Sequence, residues 1–179
     1  MRALTVRQPW AGAICDLGKR LENRSRPPPR TLPCSEVIAI RAGSADTRAT
    51  EAEHVALTLR AVEEWGLRWT SRAAICFGCV VATCRVVGWW ELVDGKPWAF
   101  SRTDGEALGA PIASPYDSAA DWAEAQRQLA RWWIGPFAWV LRDVQVLAQP
   151  VPAKGALGLR RVPDDVEAAV RAAEKWRRP

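Results

Sequence analysis

The chain has a single histidine, His54, and no apolar run of membrane-spanning length. A histidine-based catalytic triad is hard to build around one residue in a predicted helix, so we interpret His54 as a surface residue. The first ten residues, MRALTVRQPW, lack the apolar segment of a signal peptide. Neither a Gly-x-Ser-x-Gly elbow nor a glycine-rich phosphate loop is present. These absences predict a cytoplasmic protein with no membrane partner.

The five cysteines are an odd number, which fits a reducing compartment better than a disulfide framework. Cys76-x-x-Cys79 together with Cys84 suggests zinc, but a zinc site needs a fourth ligand. Cys79 and Cys84 also fall on opposite faces of one predicted strand. We therefore interpret them as small apolar residues of a buried strand, and predict neither a metal nor another cofactor.

Arginine and tryptophan are abundant. The formal net charge is +5, arginine supplies most of the positive charge, and there are 11 tryptophans. Arginine suits phosphates and stacks on bases, and tryptophan stacks on unpaired bases. This pairing is typical of a nucleic-acid-binding surface. The alternative interpretation is the Ala/Arg-rich composition of a GC-rich genome, with the tryptophans filling the core.

The hydrophobic pattern predicts an α+β fold: a small mixed β-barrel of about five to six strands with flanking α-helices. In the second predicted helix, Val55, Leu59 and Val62 lie on one apolar stripe with Ala52 and Trp65. Residues 1–163 are predicted to form one domain, with a long loop at 94–117, and residues 164–179 a C-terminal helix and basic tail. Strands are predicted at 3–6, 21–24, 36–42, 78–90, 137–147 and 156–162, and helices at 9–17, 47–65, 118–133 and 164–176.

Three charged residues, Lys19, Glu22 and Arg24, follow the first predicted helix. Lys19 comes after a glycine turn, and Glu22 and Arg24 share one face of a short strand because strand side chains alternate. A carboxylate beside two cations stays ionised and can anchor them, and the cations can bind phosphate. The alternative is a salt-bridged turn without a binding role.

Other basic residues extend this candidate site. Arg26 and Arg30 lie in a proline-stiffened loop. Arg41 and Arg85 interrupt otherwise apolar predicted strands, and a buried arginine has to reach a carboxylate, a ligand or solvent. Tryptophans 10, 132, 133 and 139 are assigned to core packing. The predicted nucleic-acid-binding residues are Lys19, Glu22, Arg24, Arg26, Arg30, Arg41, Arg85, Lys96, Trp98, Arg102 and Lys154.

The segment LTVRQPWAGAICDLGKRLENR resembles the opening signature of ASCH domains, which belong to the PUA-like superfamily. Three later segments, VIAIRAG, GCVVATCRVVG and GPFAWVLRDVQVLAQPVPAKGALGLRRV, are similar to the family's later strands. The resemblance covers about residues 3–162 in order. It implies a small β-barrel whose cleft binds RNA or nucleotides, and Lys19, Glu22 and Arg24 match the cleft-lining motif.

The resemblance also implies an enzymatic alternative. Some ASCH-like proteins hydrolyse N4-acetylcytidine with a lysine, a threonine three residues later and a distant glutamate, and a ribonuclease activity is attributed to others. Lys19 matches that lysine, but Glu22 occupies the threonine position. A metal-independent hydrolase centred on Lys19 and Glu22 therefore remains the second hypothesis, beside binding of RNA or DNA that is single-stranded or has an unpaired base. A third hypothesis is a protein-interaction module without nucleic-acid affinity.

Overall fold

The structure, a computed structural model, describes residues 1–43, 48–67, 76–94, 96–101, 119–155 and 158–175. These ranges contain four helices and seven strands. The strands are β1 (Arg2–Val6), β2 (Leu21–Arg24), β3 (Val37–Ala42), β4 (Cys79–Val93), β5 (Lys96–Ser101), β6 (Phe137–Pro152) and β7 (Leu159–Arg161). The helices are α1 (Trp10–Asp16), α2 (Arg48–Trp65), α3 (Ala119–Trp132) and α4 (Asp164–Lys175).

The strands form one mixed sheet. Hydrogen-bonded neighbours follow the order β2-β6-β4-β3-β1-β7, and β5 pairs with β4. β1 is parallel to β3 and antiparallel to β7, and the β2–β6 and β4–β5 pairs are antiparallel. The predicted α+β class, a mixed sheet accompanied by helices, is confirmed.

The chain divides into two compact units. The first unit comprises Met1–Gly18, Val37–Cys84 and Val144–Pro179, and the second comprises Lys19–Glu36 and Arg85–Asp143. The long strands β4 and β6 contribute residues to both units.

In the first unit, α4 is held by an apolar core. Val170 is fully buried with residues of β1, β3, β4 and β6, and Val166 and Ala173 pack against the same cluster. These three residues of α4 lie three or four positions apart, which places them on one helical face. This face of α4 is therefore the one that packs.

In the second unit, several tryptophans belong to the core. Trp90, Trp132 and Trp139 are buried, and Trp133 is half-buried. The rings of Trp90 and Trp133 meet at 6.4 Å with an interplanar angle of 48°, a tilted arrangement typical of aromatic pairs. Trp10, in the first unit, is half-buried.

The apolar stripe expected on α2 is not its buried face. Val55 and Leu59 are each 54% exposed and Val62 is also exposed, whereas Leu57 and Ala61 are the buried pair. Apolar residues are spread around this helix, so the spacing of Val55, Leu59 and Val62 does not single out one buried face. Leu57 and Ala61 are four residues apart, which is also a helical neighbour spacing.

The predicted loop at 94–117 contains a strand. β5 forms a hairpin with β4, with Val93 opposite Lys96 and Trp90 opposite Ala99. Asp94 has φ of 51°, in the left-handed region that short hairpin turns require. The sequence contains an Asp-Gly dipeptide at 94–95, which is a common signal for a hairpin turn. The rest of the predicted loop, from residue 102 onward, lies outside the described residues.

Candidate functional site

A glycine turn introduces the charged residues of β2. α1 ends at Asp16, and Gly18 adopts φ of 67°, which favours glycine. β2 then pairs with β6, with Glu22 opposite Trp139 and Arg24 opposite Phe137. Glu22 and Arg24 share a strand face because side chains alternate along a strand.

Lys19, Glu22 and Arg24 form a contiguous charged cluster. The Lys19 Nζ lies 2.9 Å from Glu22 Oε2, and it also donates to the Leu21 carbonyl. Arg24 Nη2 lies 3.2 Å from Glu22 Oε1. The Lys19 side chain is 1% exposed, whereas that of Arg24 is 24% exposed. The carboxylate therefore joins a buried cation to a partly accessible one.

Burial is the largest influence on the pKa of Lys19. Burial lowers the pKa of the Lys19 ammonium, while the charge and hydrogen bond of Glu22 raise it and the charge of Arg24 lowers it. A buried lysine needs its carboxylate partner, and the carboxylate needs the lysine. Lys19 thus holds Glu22 in place and does not itself present a charge to solvent.

Trp139 supports the accessible end of the cluster. The Arg24 guanidinium carbon lies 5.8 Å from the centre of the Trp139 ring, a cation–π distance. The Trp139 indole N–H donates to the Arg26 carbonyl at 2.8 Å. Because Trp139 is buried, it acts as a support for Arg24 and for the loop that begins at Ser25. The side chains of Arg26 and Arg30 on this loop are exposed.

The backbone of this region is held by α3 and β6. The Arg20 N–H donates to Gln128 Oε1 at 2.8 Å, and Gln128 Nε2 donates to Glu124 at 2.8 Å. The Arg20 carbonyl accepts from Leu141 N–H at 2.8 Å. Arg20 lies next to Lys19 in the chain, so these bonds position the residue that carries the buried ammonium.

Replacing Gln128 by leucine should lower the free energy of unfolding by about 1–3 kcal/mol, because it removes the acceptor of a part-buried backbone N–H. The matched control is Gln126→Leu on the exposed face of α3, which should change stability by no more than about 0.5 kcal/mol. Urea unfolding followed by tryptophan fluorescence measures both. Equal effects of the two substitutions would contradict the role assigned to Gln128.

A cavity of about 240 Å³ lies beside this backbone. Its polar lining comprises two cations, two carboxylates and one amide: Arg20, Arg142, Glu124, Asp143 and Gln128. Desolvation raises the pKa of Glu124, but hydrogen bonds from Gln128 and Arg127 and nearby arginine charges together lower it by more, so the pKa lies below its ordinary value. The mixed charge makes this cavity less suited to polyanions than the surface around Arg24.

Arg85 forms an ion pair in the same unit. Its Nε lies 2.5 Å from Asp143 Oδ2, and both side chains are exposed. The arginine that interrupts the apolar strand β4 thus reaches both a carboxylate and solvent. Either contact satisfies the requirement that its charge be paired or hydrated.

The β4–β5 hairpin carries an aromatic surface. Trp89 and Phe100 stack with ring centroids 5.1 Å apart and planes within 7°. Trp98 is opposite Glu91, two positions along, so it shares their face of the hairpin. It is 39% exposed. Lys96 belongs to β5, and Arg102 lies outside the described residues.

The remaining predicted site residues, Arg41 and Lys154, belong to the first unit. Arg41 is buried on β3 and donates from Nε to the Ala153 carbonyl at 2.8 Å. Lys154 is exposed.

Within the described ranges, no group of three histidine, cysteine, aspartate or glutamate residues is placed to hold a metal ion. Cys84 is buried, and Cys76 and Cys79 are half-buried. Burial raises the pKa of the Cys79 thiol, and the neighbouring Cys76 raises it further. None of the helices in the described part of the chain is both long and apolar enough to cross a bilayer.

No protein-family model matches this chain, and no curated protein is significantly similar to it. The ASCH resemblance therefore remains a hypothesis, and function has to be argued from the site itself.

Three residues of the site were not recognised in the sequence: Arg20, Gln128 and Trp139. Trp139 was assigned to core packing, and its burial agrees with that assignment, but its contacts with Arg24 and Arg26 give it a second role. Gln128 carries no local signal, because its partner Arg20 lies 108 residues away.

Proposed function

We propose that this protein binds nucleic acid, RNA or single-stranded DNA, through the surface formed by Arg24, Arg26 and Arg30. The proposal rests on one observation: the partly exposed guanidinium of Arg24 is contacted from two sides. Glu22, itself held by buried Lys19, pairs with Arg24, and the Trp139 ring lies beneath it. The proposal includes membership of the ASCH family with a PUA-like fold, and a cytoplasmic location.

A fixed guanidinium is well suited to phosphate. Arginine binds phosphate oxygens bidentately, and a side chain that is already positioned loses less conformational entropy on binding. Arg26 and Arg30 add two exposed cations along the same loop. If the cluster were only a salt-bridged turn without a binding role, Arg24, its most exposed residue, would not need to be held in place by Glu22 and Trp139.

The aromatic surface of the β4–β5 hairpin favours an unpaired base as part of the ligand. Trp98 is 39% exposed and Trp89 and Phe100 stack beside it. Exposed aromatic rings bind single strands by stacking, without strong sequence preference. We therefore place single strands before intact duplexes.

Binding should weaken with salt. If three arginines neutralise about three phosphates, the affinity for a single strand should fall about 20-fold between about 50 and 200 mM salt. Arg24→Gln and Arg26→Gln should each reduce the slope of log affinity against log salt by about 0.7. Fluorescence anisotropy with labelled oligonucleotides measures the slope. Arg60→Gln on α2, an exposed arginine paired with Glu64, is the control with the same change of charge.

The panel should include single- and double-stranded RNA and DNA. An affinity that does not depend on salt, or a slope that Arg60→Gln reduces as much as Arg24→Gln does, would count against the proposed surface. Absence of affinity for all four ligands would favour the protein-interaction hypothesis.

A hydrolase centred on Lys19 and Glu22 is the second candidate. The observation in its favour is the lowered pKa of Lys19, which brings an amine closer to general-base function. We place it second because the ammonium is 1% exposed and donates to Glu22 and to the Leu21 carbonyl. Incubation with N4-acetylcytidine and with labelled RNA in the presence of EDTA tests it. Turnover that Glu22→Gln abolishes would replace the binding proposal by an enzymatic one.

A further inference from the structure

Arg41 is a buried cation without a carboxylate among the described residues. The residue is 4% exposed. Its Nε donates to the Ala153 carbonyl at 2.8 Å, which is the one side-chain hydrogen bond that Arg41 forms within the described ranges. No aspartate or glutamate of those ranges pairs with it, in contrast to Lys19, Arg24 and Arg85 of the second unit.

Two glycines flank the Nη end of this guanidinium. A Cβ added to Gly155 would overlap Nη1, Nη2 and Cζ of Arg41, so the backbone of Gly155 lies directly against the group. A Cβ on Gly78 would lie 3.8 Å from Nη2. Ala153 N–H donates to the Gly78 carbonyl at 2.9 Å. The two glycine-bearing segments are thus tied together around the guanidinium.

Burial of an arginine without an anionic partner is costly. Removing an ion from water is costly even after the protein relaxes around it. Burial also lowers the pKa of Arg41, but a guanidinium does not give up its proton in proteins. The charge therefore remains, with one neutral carbonyl as its described partner. A bound anion would offset this cost through charge-assisted hydrogen bonds to Nη1 and Nη2.

We propose that the Arg41 guanidinium, framed by Gly78 and Gly155, is a phosphate-binding site of the first unit. The absence of a side chain at Gly155 makes room for the guanidinium itself, because a Cβ there would overlap its Nη atoms and displace the group. Lys154 is exposed and next to Gly155 in the chain, so it supplies a second cation. Two cations suit the double charge of a phosphate ligand better than the single charge of a carboxylate ligand. The inference does not depend on the proposed function, because phosphate is tested here without nucleic acid.

Isothermal titration of the whole chain with inorganic phosphate, at ionic strength held constant with sodium chloride, tests the site. We expect one saturable site, and a dissociation constant at least about 10-fold higher in Arg41→Gln, equivalent to about 1.4 kcal/mol. Gly155→Ala should have a similar effect because its methyl group displaces the guanidinium. Lys154→Gln, an exposed change that does not threaten folding, should weaken binding several-fold. Arg160→Gln, an exposed arginine of β7, should leave it unchanged.

Two further ligands identify the source of the phosphate. Dimethyl phosphate that binds as tightly as inorganic phosphate assigns the site to the backbone of a nucleic acid. Binding of inorganic phosphate alone assigns it to free phosphate or a phosphate monoester. Acetate that binds as tightly as phosphate would overturn the proposal. So would the absence of saturable phosphate binding to the wild-type chain, or equal weakening by Lys154→Gln and Arg160→Gln.

Discussion

Replacing Lys19 by methionine should lower the free energy of unfolding by about 3–5 kcal/mol, the range found when one partner of a buried ion pair is removed. Methionine keeps most of the length of lysine, so little of this loss comes from a cavity. The loss arises because Glu22 stays buried without the ammonium that lies 2.9 Å from its Oε2. Urea unfolding at neutral pH measures the change.

A second substitution separates the loss of the pair from other damage. Lys19→Met combined with Glu22→Leu should return to within about 1 kcal/mol of the wild type, because an apolar pair can replace a buried ion pair at little cost. Lys154→Met, at an exposed position, should change stability by no more than about 0.5 kcal/mol. A double variant as unstable as Lys19→Met alone would show that the ion pair is not the source of the effect.

The pH dependence of this difference has a definite sign. Burial lowers the folded-state pKa of Lys19 below its ordinary value of 10.5. Between the two pKa values the unfolded chain binds more protons, so the contribution of Lys19 to stability rises with pH and is complete above the unfolded value. The stability difference between wild type and Lys19→Met should therefore grow from neutral pH toward the ordinary lysine pKa. Cys79 has the opposite shift, but it is common to both proteins and cancels in the difference.

The proximity of Lys19, Glu22 and Arg24 could be inferred from the sequence, because it depends on local geometry. A glycine turn after α1 and the alternation of side chains along β2 are enough to bring the three residues together. Which of the two cations is buried and which is accessible could not be inferred. Whether the lysine or the arginine faces solvent depends on what packs over β2, and that packing is decided by residues far away in the chain.

The contacts that define the site join residues more than 100 positions apart. Gln128 is 108 residues from Arg20, and Trp139 is 113 residues from Arg26. Hydrophobic periodicity predicts each strand and helix separately, but it does not predict that β2 pairs with β6 or that Glu22 is opposite Trp139. The second role of Trp139 was therefore invisible in the sequence, although its burial was expected.

Local signals also failed where they competed or were weak. The glycines and prolines beyond Gly95 and the absence of a clear period predict a loop over 94–117, and this prediction misses the β4–β5 hairpin. On α2, two overlapping helical spacings were available, and the buried face is that of Leu57 and Ala61. Tertiary packing determines which of the two faces is buried, and the spacing of apolar residues in a single sequence does not indicate it.

Trp139→Ala should destabilise the protein by about 3–5 kcal/mol, the usual cost of removing a buried tryptophan ring. It should also weaken nucleic-acid binding, because Arg24 loses the ring 5.8 Å from its guanidinium. Trp139→Phe keeps an aromatic ring but loses the N–H that donates to the Arg26 carbonyl. We expect it to cost about 1 kcal/mol for the hydrogen bond, with some further loss from its smaller size. Its salt slope should stay close to that of the wild type.

Trp98→Ala is the comparison, because Trp98 is 39% exposed and its replacement should cost clearly less stability than that of the buried Trp139. If Trp98 stacks on a base, the same substitution should cost about 1–3 kcal/mol of binding free energy. The two tryptophans thus have different expected profiles: Trp139 acts mainly on stability and on the placement of Arg24, and Trp98 acts mainly on affinity. A Trp139→Ala variant that is destabilised but retains the wild-type salt slope would indicate that Arg24 does not bind phosphate. That result would contradict the surface proposed here.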